Sequence, residues 1–181
     1  MIYNEAYYSR FVERANSELG KLIYASRWEL VEKYCHGKMT LLDYGCGPGA
    51  FHKSARNGFI TYGYDINPCC GFPSVPDRKV DILTMWDSIE HLEEPWEIIG
   101  SINPKYIFIG TPNIDSVKDD VTKWKHYRPD EHLHYFHLGS LTHNLERLGY
   151  EILEHNFTEG NLRDKECPQA IITVVAKRKL S

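Results

Sequence analysis

Between residues 5 and 35, apolar side chains recur at Tyr8, Phe11, Val12, Ala15, Leu19, Leu22, Ile23, Trp28, Leu30 and Val31. This spacing is nearer the helical period than the alternation of a strand. One or two leading helices are expected, closed by Gly37. Met39–Tyr44 then reads as a short buried strand that stops at three closely spaced glycines, Gly45-Cys46-Gly47-Pro48-Gly49. A short helix is expected over 50–57, ended by Gly58. Ile60–Tyr64 reads as a second strand finishing at Asp65. Strand, glycine turn, helix and strand make a βαβ unit.

Downstream, Pro68, Gly71, Pro73 and Pro76 mark 66–79 as a loop, and Val80–Met85 reads as a third strand with its exit over 86–91. A helix over 94–101 leads to a strand over 105–110 that ends at Thr111-Pro112-Asn113. A second helix is expected to start at Ser140 and run to Gly149, followed by strands at 150–156 and 170–177 with a polar loop at 158–168 between them. Alternating strands and helices predict an α/β, doubly wound, Rossmann-like and mostly parallel sheet with an antiparallel C-terminal strand. No internal repeat or composition break divides the chain, so residues 1–181 are expected to form one domain: a helical cap over 1–36 and a Rossmann-like core over 37–181.

Composition narrows the partners. The chain has 181 residues, 42% hydrophobic and 25% charged, which suits a packed domain rather than a disordered one. A formal net charge of −4 gives no long-range attraction for nucleic acid or anionic lipid, and no apolar run approaches the length of a membrane span. Met1–Glu5 lacks the basic start and apolar block of a secretory signal, so cytoplasmic residence is expected. The five cysteines show no C-x-x-C spacing and read as reduced thiols rather than zinc ligands.

A strand ending in Asp43 and running into Gly45-x-Gly47-x-Gly49 lets backbone approach a ligand closely, and a turn of this kind presents N–H groups to it. Asp65, 22 positions after Asp43, is placed to accept hydrogen bonds from ribose hydroxyls. Together they describe a nucleoside-type cofactor. The nicotinamide fingerprint G-x-G-x-x-G fits poorly, because the third glycine comes one position early.

The segment Leu41-Leu42-Asp43-Tyr44-Gly45-Cys46-Gly47-Pro48-Gly49 resembles the first motif of the class I S-adenosylmethionine-dependent methyltransferases. Asp87-Ser88-Ile89-Glu90-His91-Leu92-Glu93-Glu94-Pro95 looks like the post-strand motif of their ubiquinone-biosynthesis O-methyltransferase-like branch. Gly110–Asn113 and Glu131–Phe136 look like that branch's later signature. The resemblance implies S-adenosyl-L-methionine as cofactor. It places the methionine part on Gly45, Cys46, Gly47 and Gly49, beside Asp43, with the ribose on Asp65 and the sulfur side on Met85, Trp86 and Asp87. His91 would line the pocket, and Arg27 stands where an arginine of this branch meets the cofactor's carboxylate.

One departure stands out. Only 15 residues separate Asp65 from Asp81, too few for a further strand with its own helix, so one edge strand is expected to be missing. Ile66, Cys69 or Phe72 would then form the adenine wall.

Methyl transfer from a sulfonium needs alignment, a dry pocket and removal of the acceptor's proton, and it needs no metal. Histidine is the default base. His126, His132, His134 and His137 cluster beside Asp130 and Glu131. His132 and His134 are the candidate catalytic pair. Surface or helix-capping histidines, or a metal set of His132 and His134 with Asp130 or His137, are the competing readings, and no metal is assigned. Tyr3, Tyr7, Tyr8 and Tyr24 on the leading helices, and Trp124 and Tyr127 further on, supply rings for a sulfonium or a flat acceptor, or simply fill the core. The function expected is methyl transfer to a small-molecule acceptor, at oxygen. The alternatives are a cofactor-binding module without activity and a nucleotide- or NAD-binding oxidoreductase.

Overall fold

The computed structural model describes residues 5–66 and 79–180, without the side chains of residues 5–8. Two helices lead in, α1 (Glu5–Asn16) and α2 (Glu18–Tyr34), the second capped by Ser17, whose side chain accepts the Gly20 N–H. Then follow β1 (Met39–Tyr44), α3 (Ala50–Lys53), β2 (Phe59–Tyr64), β3 (Ile82–Trp86), α4 (Pro95–Ile102) and β4 (Tyr106–Pro112). The chain closes with α5 (Leu138–Arg147), β5 (Tyr150–Asn156), α6 (Thr158–Arg163) and β6 (Ile171–Arg178).

The six strands form one sheet in the order β2-β1-β3-β4-β6-β5. Strands β2, β1, β3 and β4 run parallel, and β6 enters antiparallel between β4 and β5. This is the mixed, Rossmann-like sheet expected. Among the described residues β2 is the edge, with no further strand beside it.

Both faces are covered, and strand alternation sorts the core accordingly. Leu41, Ile82, Phe108 and Val175 pack toward Trp28 and Val31 of α2. Leu42, Leu83, Ile107 and Val174 pack toward Ile99 of α4 and Leu141 and Leu145 of α5.

Three local expectations change. The helix after the glycine turn stops at Lys53 rather than Asn57. Helix α5 begins at Leu138, because His137 takes the cap: its Nδ1 accepts the Ser140 N–H while Ser140 Oγ accepts the His137 N–H. The stretch after β5 is a helix rather than a loop, because Glu159 and Arg163, one turn apart, form an ion pair within it. Among the described residues no helix is long and apolar enough to cross a membrane.

Candidate active site

The parallel strands β1, β2 and β3 all end on one rim, and the turn after β1 is shaped there by two glycines. Gly45 has φ +78°, and a Cβ on it would stand 2.4 Å from the Cβ of Ser88. Gly47 has φ +52° and faces open space where a side chain would otherwise project. The turn was expected to offer its N–H groups to a ligand, but several are already used. Gly45 and Cys46 both donate to the Tyr64 carbonyl at the end of β2, and Gly49 donates to Cys46. Gly47 N–H donates to Asp65 Oδ2 at 2.8 Å. The cradle therefore provides room for a ligand, and its backbone donors hold Asp65 in place.

That rim borders a cavity of about 340 Å³, within the range of small-ligand sites. One side is the turn with Asp65 and Ile66, and the other is Trp86, Asp87, Ser88 and His91. Helices α1 and α2 close it with Phe11, Arg14, Tyr24 and Arg27, and α6 contributes Arg163. The Arg27 guanidinium lies over the Trp86 ring, 4.7 Å from its centroid.

Behind that second wall sits a buried charge network. Arg27, 7% exposed, donates through Nε and Nη2 to both oxygens of Glu159, at 2.9 and 2.6 Å, and Glu159 is only 3% exposed. Arg27 also reaches Asp87 Oδ2 at 3.3 Å. Arg163 bonds both Asp87 oxygens and Glu159 Oε1. Burial alone would push the Asp87 carboxyl up, but Arg163 and Arg27 beside it hold it well below the usual carboxylate range. Asp87 carries φ +52°, a left-handed conformation uncommon for a residue with a side chain, with its N–H fixed on the Gly110 carbonyl at 2.7 Å.

Of the residues singled out in the sequence, Arg27, Asp43, Gly45, Cys46, Gly47, Asp65, Ile66, Trp86, Asp87 and His91 all line this cavity. Asp43 is buried beneath the turn, accepting the Thr84 hydroxyl at 2.9 Å and facing His52 Nδ1 at 3.6 Å. Two of the cofactor candidates do not line the cavity. Gly49 caps α3 with φ +80°, and the Met85 side chain is fully buried in the core on the α4 and α5 face. Ile66, 81% exposed, lines the cavity beside Asp65, whereas Cys69 and Phe72 lie outside the described residues, as do Tyr3 and the side chains of Tyr7 and Tyr8. Tyr24 joins the cavity wall. Trp124 and Tyr127 instead pack around Tyr135, away from it.

The histidines separate by role. His134 donates Nε2–H to the Leu92 carbonyl at 2.9 Å and stacks on Phe136, so it ties two loops together and does not reach the cavity. His137 is a helix cap. His132 is buried, and burial first, then His91 and Arg128, push its ring down to about 4, so it is neutral near pH 7. It meets His91 edge to face, with ring centroids 4.7 Å apart. His91 Nδ1 lies 2.8 Å from the Glu131 carbonyl, a partner that only accepts, so the proton sits on Nδ1 and the lone pair on Nε2. Beside it Glu90, 2% exposed, accepts the Thr111 hydroxyl at 2.9 Å. Burial first and the neighbouring Asp87 charge second push Glu90 up to about 8.

Comparison with known proteins agrees with this geometry. The methyltransferase domain family matches residues 8–155, and the chain belongs to that family. A solved S-adenosylmethionine-dependent methyltransferase from Archaeoglobus fulgidus superposes with a TM-score of 0.71 at 21% identity, over 95% of this chain and all of that one. Magnesium protoporphyrin IX methyltransferase from Synechocystis PCC 6803, solved with bound SAH, gives 0.66 at 15% identity over 97% and 96%. A methyltransferase from Aquifex aeolicus gives 0.62 at 15% identity over 96% and 98%. No curated protein sequence matches the chain. The protein is an S-adenosylmethionine-dependent methyltransferase, and the oxidoreductase and non-catalytic alternatives are set aside. The cavity suits that cofactor: a glycine cradle with space above Gly47, a carboxylate fixed at one side and guanidinium groups at the other.

Three site residues escaped the sequence reading: Arg14, Glu159 and Arg163. For the last two the one available signal was the four-residue spacing of opposite charges in Thr158–Arg163.

Proposed function

We propose that this methyltransferase methylates a hydroxyl oxygen of a small-molecule acceptor. The observation that carries the reading is His91, which lines the cavity and whose Nδ1–H is committed to the Glu131 carbonyl, so that the lone pair sits on Nε2. A hydroxyl must lose its proton as it attacks, and a lone pair at the acceptor position assists that loss. His91 thereby takes the part of base for which His132 and His134 were the candidates. The motifs resembling the ubiquinone-biosynthesis branch and the net charge of −4 support a small hydroxyl or phenol acceptor over nucleic acid or a membrane.

When bound, S-adenosylmethionine supplies an electrophilic methyl group on a positive sulfur. Gly45, Cys46 and Gly47 would hold its methionine part, Asp65 would accept from the ribose hydroxyls, and Ile66 would stand against the adenine. Arg14, Arg27 and Arg163 stand on the wall where the methionine carboxylate would lie, Arg27 and Arg163 already paired with Asp87 and Glu159. Trp86 and Asp87 would border the sulfur, and Phe11 and Tyr24 would shield it from water. Residues 1–181 act as one domain in the cytoplasm, with 1–36 as the cap.

Release of S-adenosylhomocysteine is measured with hydroxyl or phenol, amine and carboxylate acceptors. Turnover is expected with the first class; methylation of amines or carboxylates alone would overturn the reading. His91→Ala is expected to lower kcat at least tenfold and leave cofactor affinity within twofold.

A further inference from the structure

The loop between β4 and α5 is fastened at both ends and in the middle. Asn113 pairs with Phe136 where the loop leaves and returns, and the Ile114 N–H donates to the Phe136 carbonyl at 2.9 Å. Its middle is tied to the end of α6, where Lys125 forms an ion pair with Asp164. Lys125 stands between Trp124 and His126, and Asp164 directly follows Arg163. The tie therefore brings the Trp124 and His126 rings to the Asp87–Arg163 pair on the cavity wall, and both of those charges bear on the His126 ring.

Among the described residues, three buried nitrogens at this junction have no hydrogen-bond partner: Trp124 Nε1, His126 Nε2 and Arg163 Nε. The two rings meet edge to face, with centroids 5.2 Å apart. The Arg163 side chain is 10% exposed, and its other two nitrogens are already engaged with Asp87 and Glu159. Buried polar nitrogens are ordinarily satisfied, so three in one place mark a missing partner.

The chemistry of that partner follows from the atoms. An indole N–H and a guanidinium Nε–H only donate, so the partner must offer oxygen lone pairs. Charge narrows the choice. Lys125 is matched by Asp164, Arg163 by Asp87 and Glu159, and Arg128 by Glu131. Burial first and Lys125 second push His126 down to about 4, so its ring is neutral near pH 7. With those cations already matched, a buried carboxylate or phosphate would lack a counter-ion, whereas a neutral group suits the junction.

We propose that the junction of this loop with α6 binds the end of the acceptor remote from the methylated hydroxyl, and that this end is a carboxamide. The amide oxygen has two lone pairs, one for Trp124 Nε1 and one for Arg163 Nε. The amide N–H donates to His126 Nε2, with the imidazole proton on Nδ1. The Lys125–Asp164 pair that covers the junction is exposed, and such pairs contribute little, so the loop yields there to admit the group. The inference rests on the hydroxyl-acceptor reading above: His91 marks the end of the acceptor that reacts, and the junction marks the other.

Three phenols that differ beyond one methylene provide the test: para-hydroxyphenylacetamide, para-hydroxyphenylacetate and para-isobutylphenol. The methylene keeps their hydroxyl groups alike. Binding to the full chain loaded with S-adenosylhomocysteine is measured by calorimetry, and KM is measured in methyl transfer. The amide is expected to bind at least fivefold more tightly than either of the others. Trp124→Phe keeps a ring and removes the N–H, and should weaken the amide about fivefold while leaving the isobutyl compound within twofold. His126→Phe should give the same pattern, and retained cofactor affinity identifies the variants that still fold. Equal affinity for amide and isobutyl compound, tighter binding of the carboxylate, or equal weakening of all three by Trp124→Phe overturns the proposal. Methylation of all three with one KM keeps the hydroxyl reading and removes the amide subsite. Selective amide binding without methylation of any of them keeps the subsite and removes the hydroxyl reading.

Discussion

The two walls of the cofactor cavity are built by different means. The wall under Gly45 and Gly47 is backbone, completed locally between Met39 and Asp65 by β1, its turn and the end of β2. The opposite wall consists of side chains from α2, β3 and α6, with Arg27 and Glu159 meeting across 132 positions of sequence. The first wall is a matter of conformational permission, requiring residues that tolerate positive φ in a crowded corner. The second is a matter of charge balance in a place where an unmatched ion is costly. Loss of a charged partner should therefore harm folding on the second wall, whereas on the first wall a side chain added to a glycine should strain the backbone and loss of Asp65 should harm ligand binding.

The largest effect is expected from Glu159→Ala, which leaves two buried guanidiniums facing Asp87 alone. A loss of about 3–5 kcal/mol is expected, read from the midpoint of urea unfolding. An unchanged midpoint would mean that α6 contributes nothing to the wall. Next is Gly45→Ala, in which the new Cβ at φ +78° meets Ser88, at about 2–3 kcal/mol in the same assay. Asp65→Ala sharpens the contrast. Cofactor affinity should fall about tenfold by calorimetry, roughly 1.4 kcal/mol, while stability shifts by less than about 1 kcal/mol.

The smallest effect is one of pH and lies outside both walls. Burial first, and Lys125 second, push His126 down to about 4. Its ordinary value is 6.5, so between pH 6.5 and 4 the unfolded chain binds the extra proton, and stability is lost as pH falls through that window. His126→Gln should flatten that limb by about 1 kcal/mol, a figure reduced for the ring's partial exposure. Thermal melts across the window test it, and parallel curves for the two proteins would contradict it.

The same division explains what the sequence disclosed. Three glycines and an aspartate at fixed offsets carry their geometry locally, so the cradle, Asp65 and the βαβ unit were legible residue by residue. The shortened connection after β2 was legible as simple chain length. Thr158–Arg163 has no apolar face, so α6 read as loop; its helix is held by packing and by charges that arrive from α2 and β3. The resemblance placed Met85 on the sulfur side, but alternation turns it into the core and gives the cavity to Trp86. Among the histidines, spacing singled out His132 and His134. Only the fold shows that His91 is His132's companion and that His134 is a fastener.

The place of β6 between β4 and β5 has a consequence for how the chain is made. Strand β5 leaves the ribosome before the strand it must lie against, and among the described residues it pairs with no other strand. It therefore waits unpaired while translation continues, and the far half of the sheet assembles only once residues 171–178 have emerged. A stall in synthesis between the two strands would present an open β-edge to any chaperone or neighbouring nascent chain.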